Sequence, residues 1–246
     1  KVDALFWDIP APAEQYDPAI NAYVRSLQPG ILINDRGFSE GDYKTPERTV
    51  PIEPFSGLTE ACQSVGASSW GYRAHEDYFS HAFLIRSIDR ILQKSGNYLL
   101  NVGPMPDGDL TPEAKETLRA VGDWFHHTRE AFFDTDFFYH PAFAEIPASL
   151  SRDRRTVYLH LSGDRSGIVL PRIPVLPAEI TVLNDGTHPD AALEYTPEQF
   201  HGYNPDGTLD TPAALHIYRL PVNRFAAEVL LLRLRFDTSV DDILPL

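Results

Sequence analysis

Along the first half of the chain, apolar residues gather in short dense runs that each stop at a polar residue or a turn. Val2-Asp3-Ala4-Leu5-Phe6-Trp7 is closed by Asp8 and followed by Ile9-Pro10-Ala11-Pro12. Ile31-Leu32-Ile33 is closed by Asn34-Asp35-Arg36, and a third run extends from Asn97 to Pro104. Runs of this kind suit strands buried on both faces of a parallel sheet. Between the first two, Tyr16, Ile20, Tyr23, Val24 and Leu27 recur at helical spacing. Asp17-Pro18 fits an N-cap followed by proline at the first helical position, and Pro29-Gly30 stops the helix. Strand, helix, strand in this order is the pattern of a parallel sheet. Further on, the spacing predicts a strand over Ala67 to Tyr72, a helix over Ser80 to Lys94, and a second helix from Thr111-Pro112-Glu113 to Thr128. The stretch Gly37 to Gly57, with Pro46, Pro51 and Pro54, is long for a connection, and such length marks functional loops.

After Asp134 the pattern changes. Runs over Thr156 to Leu161, Ser166 to Leu170, Glu179 to Leu183, Ala214 to Arg219 and Glu228 to Phe236 alternate with Pro, Gly and Asp. In the last of them Leu232, Leu234 and Phe236 oppose Arg233 and Arg235, one face buried and one solvated, as in an antiparallel sandwich. The chain therefore reads as an α/β region, 1–134, followed by an all-β antiparallel sandwich, 135–246. Three or four strand–helix units cannot close an eight-stranded barrel, so the first region reads as the C-terminal portion of a (β/α)8 TIM-like barrel. Lys1 leads straight into a strand without an initiator Met, so the expectation is a longer chain whose upstream part supplies the N-terminal half of the barrel.

Charge and composition narrow the functions. A net charge of −14 and a pI of about 4.9 argue against a nucleic-acid partner, which needs a basic face. No apolar run approaches the roughly 20 residues that span a membrane. Cys62 is the single cysteine, so neither an intrachain disulfide nor a Cys-based zinc site is available, and no His pair has ligand spacing. The first candidate for chemistry is Asp8: a charged residue at the C-terminal tip of a barrel strand points into the active-site mouth, although Asp also begins ordinary strand-exit turns.

In order along the chain, Leu5-Phe6-Trp7-Asp8, Ile33-Asn34-Asp35-Arg36, Thr45-Pro46-Glu47, Ser69-Trp70-Gly71-Tyr72 and Gly96-Asn97-Tyr98-Leu99-Leu100-Asn101-Val102-Gly103-Pro104 resemble the motifs of the α-L-fucosidases of glycoside hydrolase family 29. The resemblance covers nearly the whole chain, and the stretch from Asn97 to Pro104 is its most specific part. It implies a retaining exo-glycosidase that releases α-linked L-fucose from oligosaccharides or glycoconjugates by two-carboxylate chemistry, with no metal and no cofactor. Family members are secreted, periplasmic or lysosomal.

Residue by residue, the resemblance makes Asp8 the nucleophile and Arg36 a sugar-contacting cation able to keep Asp8 charged. The acid/base comes from a variable loop. Glu47, in the Thr-Pro-Glu motif, matches one family position and is favoured; Glu60, just before Ala61-Cys62, matches an alternative one, and Glu53 is a third option. Whichever residue serves must deliver a proton, which partial burial against an aromatic side chain would favour. Trp70 is expected to line the sugar pocket. Phe6 stands where many members carry Trp and would keep an apolar platform under the C5-methyl face. Ile9 follows Asp8 where the family commonly has Gly, so the alternative to an enzyme is a non-catalytic fucoside-binding relative with a degenerate site. The sandwich is expected to serve as a buttress.

Overall fold

The computed structural model describes residues 1–10, 12–49, 52–143, 146–195, 202–203, 209–210 and 213–244. The chain divides into two compact units, Lys1–Phe79 with Arg90–Ala114, and Ser80–Asp89 with Lys115–Leu246.

The first half of the chain holds two strand–helix–strand repeats, the helix of the second belonging mostly to the second unit. Strand β1 (Ala4–Leu5) is followed by helix α1 (Pro18–Leu27) and by β2 (Leu32–Ile33), which pairs with β1 in parallel, Ala4 opposite Leu32. Strand β3 (Glu60–Ser64) is followed by helix α2 (His81–Leu92) and by β4 (Asn97–Asn101), again parallel, Glu60 opposite Asn97 and Ser64 opposite Asn101. The start of α1 is as the sequence predicts: Pro18 occupies the first turn and the Asp17 carboxylate accepts the Ala19 N–H at 2.9 Å. Its faces are not. Tyr16, Tyr23 and Leu27 lie exposed, while the buried position is Asn21. The predicted strand over Ala67 to Tyr72 is a loop, and the strand lies earlier, at β3. Turn chemistry decides this: the Ser64 hydroxyl donates to the Ser69 carbonyl and the Ser69 hydroxyl accepts the Gly71 N–H, which curls the segment. Helix α2 ends as Ser95-Gly96 predicts, with Ser95 left-handed at φ 64° and the Gly96 N–H returning to the Ile91 carbonyl.

Helix α3 (Pro112–Thr128) opens on Thr111, whose hydroxyl accepts the Ala114 N–H, and most of it belongs to the second unit. There β5 (Thr135–Phe138), β6 (Ala148–Ser151), β7 (Thr156–Leu161), β8 (Gly167–Pro171), β9 (Glu179–Val182), β10 (Asp190–Tyr195), β11 (Gly202–Tyr203), β12 (Leu209–Asp210), β13 (Ala213–Tyr218) and β14 (Leu230–Arg235) precede the short helix α4 (Val240–Ile243). A five-stranded antiparallel sheet, β5-β6-β7-β14-β9, and a three-stranded one, β10-β13-β8, share one core. Val157, Leu159, Leu161, Leu230, Leu232 and Leu234 meet Leu170, Leu215 and Ile217 there, the sandwich that the alternating pattern predicts. On the opposite face of the five-stranded sheet, the Trp124 indole of α3 donates to the Val229 carbonyl at 3.1 Å. The imidazole of His160 meets the Asp89 carboxylate at 2.6 Å, with both side chains buried and the Ser149 hydroxyl on the other ring nitrogen. No helix among the described residues is long and apolar enough to cross a membrane.

Candidate active site

The β1–β2 pair is only two residues long, but a side chain continues it. Asn34, fully buried, accepts the Trp7 N–H at 2.7 Å and donates to the Trp7 carbonyl at 2.9 Å, imitating one more rung of the ladder. The Trp7 indole donates to Asn21 and sets its edge against Phe38, which explains why α1 buries an asparagine. Gly37 is required beside it, because a Cβ there would lie 2.2 Å from Trp7 Cδ1. With Trp7 turned to that side, alternation along the chain puts Phe6 on the other, under the guanidinium of Arg36 at 5.1 Å. Asp8 follows with its side chain exposed at the strand tip.

Arg36 is the hub. Its Nε donates to the Thr45 hydroxyl at 2.8 Å and its Nη2 to the Thr45 carbonyl at 2.7 Å. Its Nη1 donates both to the Asp8 carbonyl at 3.1 Å and to the Glu47 carboxylate at 2.5 Å. Thr45 is fixed in turn by Asp35, whose carboxylate accepts from both its N–H and its hydroxyl. Asp42 accepts from the Ile33 N–H and from Arg25; burial pushes its carboxyl up, but those hydrogen bonds and the Arg25 charge outweigh it and hold it below the usual carboxylate range. The Arg36 side chain is 10% exposed and that of Glu47 43%, so a planar fork held from behind presents one partly open edge.

The segment carrying Glu47 runs parallel to β3. Glu60 N–H donates to Lys44, Cys62 N–H to Pro46 and Arg48 N–H to Cys62, so Glu47 lies level with Cys62. Burial pushes the Cys62 thiol up; Arg36 opposes this, while Glu60, Glu47 and Asp8 reinforce it. Glu60 itself begins β3, opposite Asn97, at the end of the strand away from the tips. It belongs to the surroundings of Tyr43, whose hydroxyl is pushed up first by burial and then by Glu60. Glu53 sits near Lys94, where its charge works against the lowering of that ammonium by burial and Arg90. Of the three glutamates, Glu47 is the one brought to Asp8 through Arg36.

Trp70 reaches the same neighbourhood from its loop. Asn101, at the tip of β4, donates to the Trp70 carbonyl at 2.7 Å, and Gly103 lets the β4 exit touch that loop backbone to backbone. The Arg48 guanidinium lies over the Trp70 ring at 4.7 Å and donates to the Ala67 carbonyl at 2.7 Å. Asn34, Thr45, Arg48 and Asn101 are the parts that sequence reasoning left without a role. Asn34, Thr45 and Asn101 stand inside the motifs that carry the resemblance, but nothing in the pattern marks Arg48. Among the described residues no cluster of His, Cys, Asp and Glu could hold a metal ion.

A parallel β–α framework carrying carboxylates, a forked cation and aromatic rings at its strand tips, followed by a sandwich, has close counterparts among solved structures. The chain is similar over 96% of its length to 58% of α-L-fucosidase isoenzyme 1 from Paenibacillus thiaminolyticus, with TM-score 0.72 and 21% identity. Over 95% of its length it matches 56% of an α-L-fucosidase from Bacteroides thetaiotaomicron described as a trapped covalent intermediate with 2-fluoro-fucosyl fluoride, TM-score 0.65 and 18% identity. At these identities what is shared is the fold. By sequence it is 32% identical over 112 residues to the tissue α-L-fucosidase of Homo sapiens, 42% of this chain and 24% of that one. The family profile for α-L-fucosidase matches residues 2–130. The chain belongs to the α-L-fucosidase family. It spans about a quarter of the length of the curated relatives it matches.

Proposed function

We propose that the protein acts as a retaining exo-α-L-fucosidase on terminal α-linked L-fucose of oligosaccharides or glycoconjugates, with Asp8 as nucleophile and Glu47 as acid/base. The observation that carries this reading is the shared nitrogen of Arg36, which donates to the Asp8 carbonyl and to the Glu47 carboxylate. The bond to Asp8 is made to its main-chain carbonyl, so Arg36 ties the Asp8 segment to the Glu47 carboxylate; the reaction asks for two carboxyl groups about 5–5.5 Å apart. In the first displacement the Asp8 carboxylate attacks the anomeric carbon while Glu47 passes its proton to the departing oxygen, leaving a glycosyl ester. In the second, Glu47 takes a proton from water as that water attacks the same carbon and frees Asp8, so two inversions give retention. Glu47 must leave Arg36 to act as acid, and a sugar hydroxyl accepting from Nη1 would take its place. Phe6 offers the apolar face beneath Arg36, and Trp70 bounds the mouth.

With this goes the reading of 1–134 as the C-terminal part of a (β/α)8 barrel and of 135–246 as its sandwich, the N-terminal half of the barrel coming from the rest of the chain. The net charge of −14 supports a neutral or cationic glycan rather than a nucleic acid as partner. Kinship with the tissue enzyme supports a lysosomal or secreted setting.

The test is hydrolysis of an aryl α-L-fucoside by the complete protein and by its Asp8→Ala variant. The expected loss is about a thousandfold or more, with azide restoring turnover and yielding a fucosyl azide. An unaltered protein that binds fucose without turnover would instead identify the binding relative, with Ile9, 82% exposed, as the departure at fault. Absence of both binding and turnover would exclude fucose as the substrate.

A further inference from the structure

Glu47 has an exposed side chain with one ionic partner, and general acid catalysis tolerates little wandering: a misplacement of about 1 Å can cost a hundredfold. What fixes its main chain is therefore of consequence. On one side the Pro46 carbonyl is tied to Cys62, and on the other the Arg48 N–H is tied to the Cys62 carbonyl. Directly after that second bond the backbone turns through a left-handed residue, Arg48 at φ 51°, a conformation a non-glycine residue keeps only where its surroundings impose it. The surroundings are identifiable. Nη1 of Arg48 donates to the Ala67 carbonyl at 2.7 Å, and its guanidinium plane lies over the Trp70 ring at 4.7 Å. One side chain thus joins the segment of the proton donor to the loop that carries the mouth aromatic, and that loop is in turn held by Asn101 and Ser64.

We propose that Arg48 is a positioning residue for the general acid: its clamp on Ala67 and Trp70 sets where the Glu47 carboxyl stands relative to the leaving-group oxygen. This rests on Glu47 being the acid/base. It also assigns Arg48 an effect on the first displacement in proportion to how much the leaving group needs a proton. Departure of an alkoxide from an alkyl or glycosyl fucoside requires proton delivery, whereas fluoride leaves fucosyl fluoride with little help.

The experiment compares kcat and KM of the complete protein, Glu47→Gln, Arg48→Ala, Arg48→Gly and Arg48→Lys on methyl α-L-fucoside and on α-L-fucosyl fluoride. Ala keeps the Cβ and the strained backbone and removes the side chain beyond it, guanidinium included, whereas Gly relieves the backbone as well. The expected result is a kcat loss of about 10–100-fold for both Arg48→Ala and Arg48→Gly on the methyl glycoside, with less than about threefold on the fluoride. Arg48→Lys, a cation without the fork, should recover only part. Equal losses on both substrates would reduce Arg48 to a structural support and overturn the proposal. So would an Arg48→Gly protein that behaves like the unaltered one. If Glu47→Gln itself shows no dependence on the leaving group, the acid assignment falls, and the role of Arg48 falls with it. If Glu47→Gln shows it and Arg48→Ala does not, only the present inference fails.

Discussion

At the scale of single residues, charge on the sandwich sheet is managed by burial. Tyr158 is 8% exposed and lies opposite Arg233, which is shared between Glu130 and Glu179. Burial, with Glu130 adding to it and Arg233 opposing it, pushes the Tyr158 hydroxyl up to about 12. Below pH 10 the phenol is neutral in folded and unfolded chains alike. Between about 10 and 12 only the unfolded chain sheds the proton, so stability falls as pH rises, by about 2 kcal/mol at the upper end. Urea titrations from pH 9 to 12 should show that fall flattened in Tyr158→Phe; an identical slope would refute the assignment. The residues proposed to react are the most legible part of the chain. Asp8, Arg36 and Glu47 stand in short motifs with a strand-tip context, and Arg36 bonds to the Asp8 main-chain carbonyl and to the Glu47 carboxylate. The role of Asn34 is not legible in the sequence, because a side chain that completes a backbone ladder looks there like one more loop asparagine. Arg48 carried no signal at all, since its partners lie in a loop whose fold depends on Ser64 and Ser69.

At the scale of elements, helices were read better than strands. Caps and stops are local: Asp17-Pro18, Thr111-Pro112 and Ser95-Gly96 act within one turn of themselves. Strand β3 escaped because Glu60, Gln63 and Ser64 break the apolar run that a buried parallel strand is expected to have. Two of them are nonetheless buried, Gln63 at 4% and Ser64 at 1%, because the strand carries polar chemistry. The tip of β4 shows how tightly neighbouring elements meet. A Cβ on Gly103 would stand 2.4 Å from the Gly71 carbonyl carbon, and backbone cannot swing aside as a side chain can. Gly103→Ala should therefore displace the Trp70 loop and cost about 1–3 kcal/mol of stability. Thermal unfolding measures the loss of stability and aryl-fucoside turnover the displacement of the loop; a variant matching the parent in both would show that the loop position is unimportant.

At the scale of the whole molecule, the second unit is discontinuous, and its pieces are joined by buried polar bonds. Asp89 comes from Ser80–Asp89 and His160 from β7, and the buried Asp89 carboxylate and His160 imidazole meet at 2.6 Å. His160→Leu leaves that carboxylate buried and unmatched and should cost roughly 3 kcal/mol, while pairing it with Asp89→Leu should recover much of the loss. A double-mutant cycle by denaturant unfolding checks both, and additive losses would show the two residues to be independent. The sandwich was visible in the alternation of Leu232, Leu234 and Phe236 with Arg233 and Arg235. The share of α2 and α3 in the same unit was not, because contacts that far apart in sequence leave no local period. Arg36 has one more consequence. Since one planar group holds both the main-chain carbonyl of Asp8 and the carboxylate of Glu47, the two segments stay tied whatever the length of chain between them. Doubling a flexible loop costs only about 0.6 kcal/mol in closure entropy. On the proposed assignment, chain length between Asp8 and Glu47 is therefore free to vary over evolutionary time outside these contacts, while Arg36 keeps the two segments together.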